Sequence, residues 1–188
     1  TYRLAKDFES ARREADAALK KYPNERMVQL THASLLADLG KIDEAAAEVR
    51  GLMKGPDDRD TQLELAQIYE KGKRYADMAP LLDQAEKLSM SDDDKAGVRF
   101  MRGAMYERMK KFDAAEAEFR KVLELDPDNA GAMNYLGYML ADRAVRLDEA
   151  YQLIKKALDL DPQNGAYLDS LGWVYYRQGK LNEAEGLL

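Results

Sequence analysis

Apolar residues recur every three or four positions along most of the chain, the spacing that places them on one face of an α-helix. Three segments show the pattern clearly: FDAAEAEF (112–119), LDEAYQLI (147–154) and LNEAEGLL (181–188). The first and the third follow a short turn that contains Lys or Gly. The pattern therefore predicts an all-α chain of amphipathic helices joined by short turns.

The pattern also repeats along the chain. The segment LELDPDNAGAMNYLGYML (123–140) aligns with LDLDPQNGAYLDSLGWVY (158–175), which stands 35 positions later. An Asp-Pro pair and a Leu-Gly pair occupy matching positions in both segments. Small residues stand at the position of this glycine in each unit: Ala33, Ala66, Gly103 and Gly137. Each unit of about 34 residues is thus predicted to form two helices and two turns.

This organisation resembles the tetratricopeptide repeat, in which small residues let two helices approach closely and a proline ends the second helix. The resemblance implies an α-solenoid of helix-turn-helix repeats that forms a right-handed superhelix. A single array is expected over residues 1–188, with SMSDDDK (89–95) as a longer turn. Its predicted units are a partial repeat (1–25), four repeats (26–58, 59–95, 96–129 and 130–164) and a partial repeat (165–188).

Composition narrows the classes of partner. The formal net charge is -6, and Lys and Arg are interspersed with Asp and Glu, so no nucleic-acid surface is predicted. No stretch approaches the roughly 20 apolar residues that cross a bilayer, and direct membrane insertion of this segment is not expected. Because the chain has no cysteine, disulfides, thiolate nucleophiles and cysteine zinc sites are excluded.

Residues that could carry chemistry are sparse. The single histidine, His32, stands at a position that is inward in the resembled repeat, which favours packing over catalysis. The acidic runs PDDRD (56–60) and SDDDK (91–95) lack the spacing, the central glycine and the closing Glu of an EF-hand. Both precede a predicted helix, where carboxylates accept hydrogen bonds from free backbone N–H groups. We therefore predict no catalytic residue, cofactor or metal site.

In the resembled architecture the first helix of each repeat lines the concave face, and this implies the candidate binding residues. Exposed rings beside an amide and charges suit peptide recognition, because rings supply contact area and polar groups orient the backbone. Tyr175 is assigned instead to the core. Exposure of Trp173 through an incomplete last repeat remains the alternative explanation. The predicted partner-binding residues are Leu30, Leu63, Gln67, Phe100, Asn134, Tyr138, Asp169, Trp173, Tyr176 and Arg177.

The resemblance implies a non-catalytic scaffold that binds an extended peptide or a helix of another protein. The alternative is a regulatory or assembly segment of a larger multidomain protein whose catalytic domain lies outside these residues. Neither end shows a polar capping helix, so homo-oligomerisation through the ends is a further expectation. Residues 134–188 are similar to bacterial tetratricopeptide proteins, some of them envelope-associated, which leaves the cytoplasm and the cell envelope or periplasm both open.

Overall fold

The computed structural model describes residues 8–55 and 58–187. Within these ranges the chain is helical and contains no strand. Parts of the two predicted partial repeats, residues 1–7 and residue 188, lie outside the described residues, as do residues 56 and 57 of the first acidic run. The helices are α1 (Phe8–Lys21), α2 (Arg26–Asp38), α3 (Ile42–Gly51), α4 (Arg59–Lys71), α5 (Tyr75–Leu88), α6 (Asp92–Arg108), α7 (Phe112–Leu125), α8 (Ala130–Asp142), α9 (Leu147–Leu160), α10 (Gly165–Arg177) and α11 (Leu181–Glu185).

The helices form two compact units, which divide between Ser89 and Met90. In the first unit each helix from α1 to α5 packs on the next, and α2 also contacts α4. In the second unit α6 pairs with α7, α8 with α9 and α10 with α11. Helix α10 additionally packs on α8 and α9. The fold is all-α with stacked helix-turn-helix pairs, as the sequence predicts.

Small residues permit the closest helix contacts. A Cβ atom at Gly137 would lie 2.7 Å from Cγ1 of Ile154 and 3.0 Å from the backbone oxygen of Ala150, both on α9. A Cβ atom at Gly103 would lie 2.9 Å from the ring of Phe119 on α7. Such distances leave no room for a side chain. The glycine position noted in the sequence therefore marks the contact between the two helices of a repeat.

The turns inside the helix pairs use a left-handed residue to end the first helix. Gly40 and Gly179 fill this role with φ of 81° and 77°, as glycine does at many helix ends. The turn between α8 and α9 has four residues, where the other turns inside pairs have three. Ala144 and Arg146 both adopt positive φ there, 53° and 49°. Two left-handed residues accommodate the extra residue.

Polar caps start four of the helices. Asp58 accepts a hydrogen bond from the backbone N–H of Thr61 at the start of α4, and Asn129 and Asn164 cap α8 and α10 in the same way. The backbone N–H of Lys54 and the hydroxyl of Thr61 also donate to Asp58, and the pKa of its carboxyl is lowered to about 2. The capping role predicted for the acidic run at residues 56–60 is confirmed at Asp58.

The predicted long turn at residues 89–95 is wrong. Helix α6 begins at Asp92, so the connection is three residues long and the predicted repeat boundary between residues 95 and 96 falls inside the helix. Ser91 caps α6 and forms a reciprocal capping box with Asp94. The acidic residues occupy the first helical turn because negative charge is favourable at the N-terminal end of a helix.

Candidate functional site

A groove of about 270 Å³ opens between α8 and α10 in the second unit. Both helices are the first members of their pairs. Three of the predicted binding residues, Asn134, Tyr138 and Asp169, line the groove. Tyr138 leaves 42% of its surface exposed. The other lining residues are Glu107, Tyr135, Met139, Ala166 and Ser170.

The polar character of this groove is acidic. Partial burial raises the pKa of Tyr138 above its usual value of about 10, and the negative charges of Asp142, Asp169 and Glu107 raise it further. Among the residues that the structure describes, none of these three carboxylates forms a hydrogen bond or an ion pair. The groove thus concentrates uncompensated negative charge around an exposed phenol.

An aromatic pair lies further along α10. Trp173 stacks on Tyr176 with ring centroids 5.3 Å apart and an interplanar angle of 23°. The guanidinium of Arg177 lies 5.7 Å from the Trp173 ring. Asp169, Trp173 and Tyr176 share one face of the helix through their spacing of four and three residues. Trp173 is half-buried and also packs on the core, while Tyr176 is 51% exposed.

Two buried polar atoms beside these features have no hydrogen-bond partner in the described part of the chain. They are the amide oxygen of Asn134 and the indole nitrogen of Trp173. Buried polar groups in proteins are almost always hydrogen-bonded, and an unpaired one costs free energy. The site therefore holds one acceptor and one donor without protein partners.

Tyr175 and Phe100 contribute to the packing of the second unit. Tyr175 contacts the ring of Tyr151 and packs on the core, as predicted, although it is half-buried rather than fully covered. The ring of Phe100 lies 5.1 Å from that of Tyr135 and 5.6 Å from that of Phe119. Phe100 is half-buried by these contacts. Its predicted role in binding stays a prediction.

In the first unit the predicted residues lie on α2 and α4. Leu30 and Leu63 are half-buried and Gln67 is exposed. Next to them, the ammonium of Lys71 donates to the carboxylate of Asp38 at 2.6 Å and to the hydroxyl of Ser34 at 2.8 Å. Lys71 thus cross-links α4 to α2. The binding roles of Leu30, Leu63 and Gln67 stay predictions.

His32 is held between two carboxylates of the first unit. Its Nδ1 lies 2.8 Å from Glu48 on α3, and its Nε2 lies 3.0 Å from Asp16 on α1. Burial lowers the pKa of His32, but the hydrogen bonds and charges of Glu48 and Asp16 outweigh burial, so the pKa is raised above 6.5. The expected structural role is confirmed, with three helices joined through one imidazole.

Sequence reasoning did not select Glu107, Tyr135, Met139, Ala166 and Ser170, which complete the groove. Glu107 and Ala166 occupy inward positions of their helices and could have been chosen on that ground. Tyr135 follows Asn134 directly, and no spacing rule distinguishes it from a core aromatic. Its 37% exposure depends on the packing of Phe100 and Phe119.

Within residues 8–55 and 58–187, no set of three or more His, Cys, Asp or Glu side chains is arranged to hold a metal ion. None of the helices in these ranges combines the length and the apolar character required to cross a bilayer.

The sequence matches a family model described as tetratricopeptide repeat over residues 2–52, 30–93 and 100–165. No curated protein matches the sequence.

Solved structures are similar along nearly the whole chain. BtubC (BKLC) from P. vanneervenii is 19% identical, with 98% of this chain and 88% of that chain covered and a TM-score of 0.72. MamA from Desulfovibrio magneticus RS-1 is 19% identical, with coverages of 85% and 89% and a TM-score of 0.66. YrrB, described as a TPR protein with an unusual peptide-binding site, is 16% identical, with coverages of 92% and 88% and a TM-score of 0.58. At these identities the likeness shows the fold, an α-solenoid of tetratricopeptide repeats.

Proposed function

Because the chain belongs to the tetratricopeptide repeat family, whose fold is generally that of a non-catalytic protein-interaction scaffold, we propose that its second unit binds a peptide or helix of another protein. The binding site is the groove between α8 and α10 together with the Trp173–Tyr176 pair. In arrays of this family the first helices of the repeats line a concave face, and α8 and α10 are first helices of their pairs, which supports this location.

The observation that carries the proposal is the pair of unpaired polar atoms on Asn134 and Trp173 beside exposed rings. An extended peptide supplies both missing partners, because its backbone N–H donates to the Asn134 oxygen and its carbonyl accepts from the Trp173 indole. Both atoms are covered in the free chain, so binding requires side-chain rotation, which is common at interfaces. The rings of Tyr138 and Tyr176 provide the apolar contact area.

The hydrogen bonds that Lys71 already forms favour this face over the equivalent one in the first unit. On α2 and α4 the polar groups of Lys71, Ser34 and Asp38 already bind one another, so a ligand must break those bonds. On α8 and α10 a ligand gains bonds without breaking any. The peptide-binding site named in the description of YrrB agrees with a peptide as the ligand.

The test is selection of short random peptides displayed on phage against the immobilised chain. Wild type is compared with the double variant Tyr138→Ala/Trp173→Ala and with Tyr22→Ala, which removes an equally exposed ring from the first unit. We expect enrichment on wild type and on Tyr22→Ala, and none on the double variant, with circular dichroism to verify that all three fold. Enrichment of the same peptides on the double variant would overturn the proposal.

Self-association through the ends stays a prediction from the sequence. The mass of the chain in solution scattering at several concentrations tests it. A mass that stays that of a monomer at every concentration would rule out self-association.

A further inference from the structure

Negative charge in the groove is not balanced by neighbouring cations. Glu107 and Asp169 line the groove with Tyr138, and Asp142 follows Tyr138 by one helical turn on α8. None of the three carboxylates forms a hydrogen bond or an ion pair with residues 8–55 and 58–187. Two carboxylates elsewhere in the second unit show the contrast: Glu118 accepts a hydrogen bond from Arg99, and Glu149 accepts one from Arg120. The groove therefore gathers three carboxylates without partners around one exposed ring.

The exposed ring of Tyr138 stands among these carboxylates. A cation over an aromatic face is attracted by the ring quadrupole, and the attraction grows when carboxylates stand beside the ring. A guanidinium can stack on the ring and donate to a carboxylate at the same time, whereas an ammonium offers a point charge. An acidic side chain at this point would be repelled by all three carboxylates.

From this complementarity we propose that the groove selects a segment of another protein that places a basic side chain, Arg or Lys, against Tyr138, Asp169, Glu107 and Asp142. This inference rests on the peptide-binding function proposed above and names the chemistry of its ligand. The apolar residues next to the basic one contact Met139 and the Trp173–Tyr176 pair.

The positive charge of Arg177 makes the Trp173 end of the binding face differ in charge from the Tyr138 end. Its guanidinium lies over the Trp173 ring, further along α10 than Asp169. A second basic residue of the ligand is disfavoured there by like-charge repulsion, and an acidic or neutral one is accepted. The ligand is thus basic at the Tyr138 end only.

The composition of the peptides selected on phage tests the inference separately from the function. We expect Arg and Lys to be enriched over Asp and Glu at one position of the peptides selected on wild type. Peptides selected without such enrichment would overturn the basic preference and leave the peptide-binding function intact. If no peptide is enriched on wild type over the Tyr138→Ala/Trp173→Ala variant, both proposals fail together.

A matched set of charge variants then locates the preference. Affinity for one selected basic peptide is measured from the fluorescence of Trp173, the single tryptophan of the chain. We expect Asp169→Asn and Glu107→Gln each to weaken binding by about threefold to fivefold, the range for partly exposed ion pairs. The control Glu124→Gln removes the same charge from the exposed face of α7 and is expected to bind as wild type does.

The peptide itself supplies the reciprocal test. Replacing its basic residue by norleucine should reduce affinity for wild type by about tenfold and make Asp169→Asn indistinguishable from wild type. Raising the salt concentration from about 0.05 to about 0.5 M should weaken binding of the basic peptide and leave binding of the norleucine peptide unchanged, since salt screens exposed charges. Equal affinities of the two peptides for wild type would overturn the inference.

Discussion

The first helices of neighbouring pairs meet differently in the two units. In the first unit Lys71 on α4 donates hydrogen bonds to Ser34 and Asp38 on α2. In the second unit α8 and α10 border a groove whose carboxylates are unpaired and whose Asn134 and Trp173 each keep a buried atom without a partner. Lys71 thus cross-links the face formed by α2 and α4, whereas among the described residues no side-chain hydrogen bond links α8 to α10. The face without this link is the better candidate for binding.

The largest expected effect concerns the scaffold behind the groove. Gly137→Ala should lower the free energy of unfolding of the second unit by about 1–3 kcal/mol, because the new Cβ lies against a backbone oxygen that cannot move aside. Urea denaturation measures the change. Gly97→Ala, where no atom lies within 4 Å, is the matched control and should gain about 0.5–1 kcal/mol. Equal stability of the two variants would contradict the packing account.

A smaller effect on stability is expected when the hydrogen bonds between α4 and α2 are removed. Lys71→Met removes the link between α2 and α4 and should cost about 0.5–1 kcal/mol of stability, reduced by the partial exposure of Lys71. Binding of the selected peptide should not change. A loss of peptide affinity in this variant would show that the first unit contributes to the site, as the sequence predicts for Leu30, Leu63 and Gln67.

The links of the first unit also predict a pH dependence. The pKa of His32 in the folded chain lies above its unfolded value of about 6.5, so its contribution to stability is complete below that pH and is lost as the pH rises through the folded pKa. The difference in unfolding free energy between wild type and His32→Gln should therefore be larger at about pH 6 than at about pH 8.5. Asp16 and Glu48, the carboxylates that contact the ring, are left unchanged. A difference that is constant with pH would contradict this reading.

The smallest effect is expected at a turn. Ala144 adopts a left-handed conformation between α8 and α9, where Gly40 serves between α2 and α3. Ala144→Gly should raise stability by about 0.5 kcal/mol, since relief of the left-handed strain exceeds the added freedom of the unfolded chain. Ala117→Gly, on an exposed helical position of α7, should instead lose about 1 kcal/mol. If Ala144→Gly loses stability as well, the turn carries no strain.

The helices and their contacts could be predicted because they depend on local patterns. Apolar spacing, Gly103 and Gly137 at close contacts, and the Asn caps are all legible in the sequence. The start of α6 could not be predicted, because an acidic run is equally typical of a loop and of the first turn of a helix. The groove was predicted in part: Asn134, Tyr138 and Asp169 share it, while Tyr135 and Glu107 join through packing that spacing does not reveal. The lack of hydrogen-bond partners for the Asn134 oxygen and the Trp173 nitrogen depends on side-chain rotamers, which cannot be predicted from the sequence pattern.

We propose that peptides bind the face formed by α8 and α10 in the second unit and not the face that Lys71 cross-links in the first unit. The most direct measurement is the affinity of one selected peptide for wild type, Tyr138→Ala and Gln67→Ala, read from Trp173 fluorescence. These two substitutions remove exposed side chains from equivalent faces of the two units. We expect at least a tenfold loss of affinity for Tyr138→Ala and an unchanged affinity for Gln67→Ala. A loss for Gln67→Ala with full affinity in Tyr138→Ala would contradict the proposal.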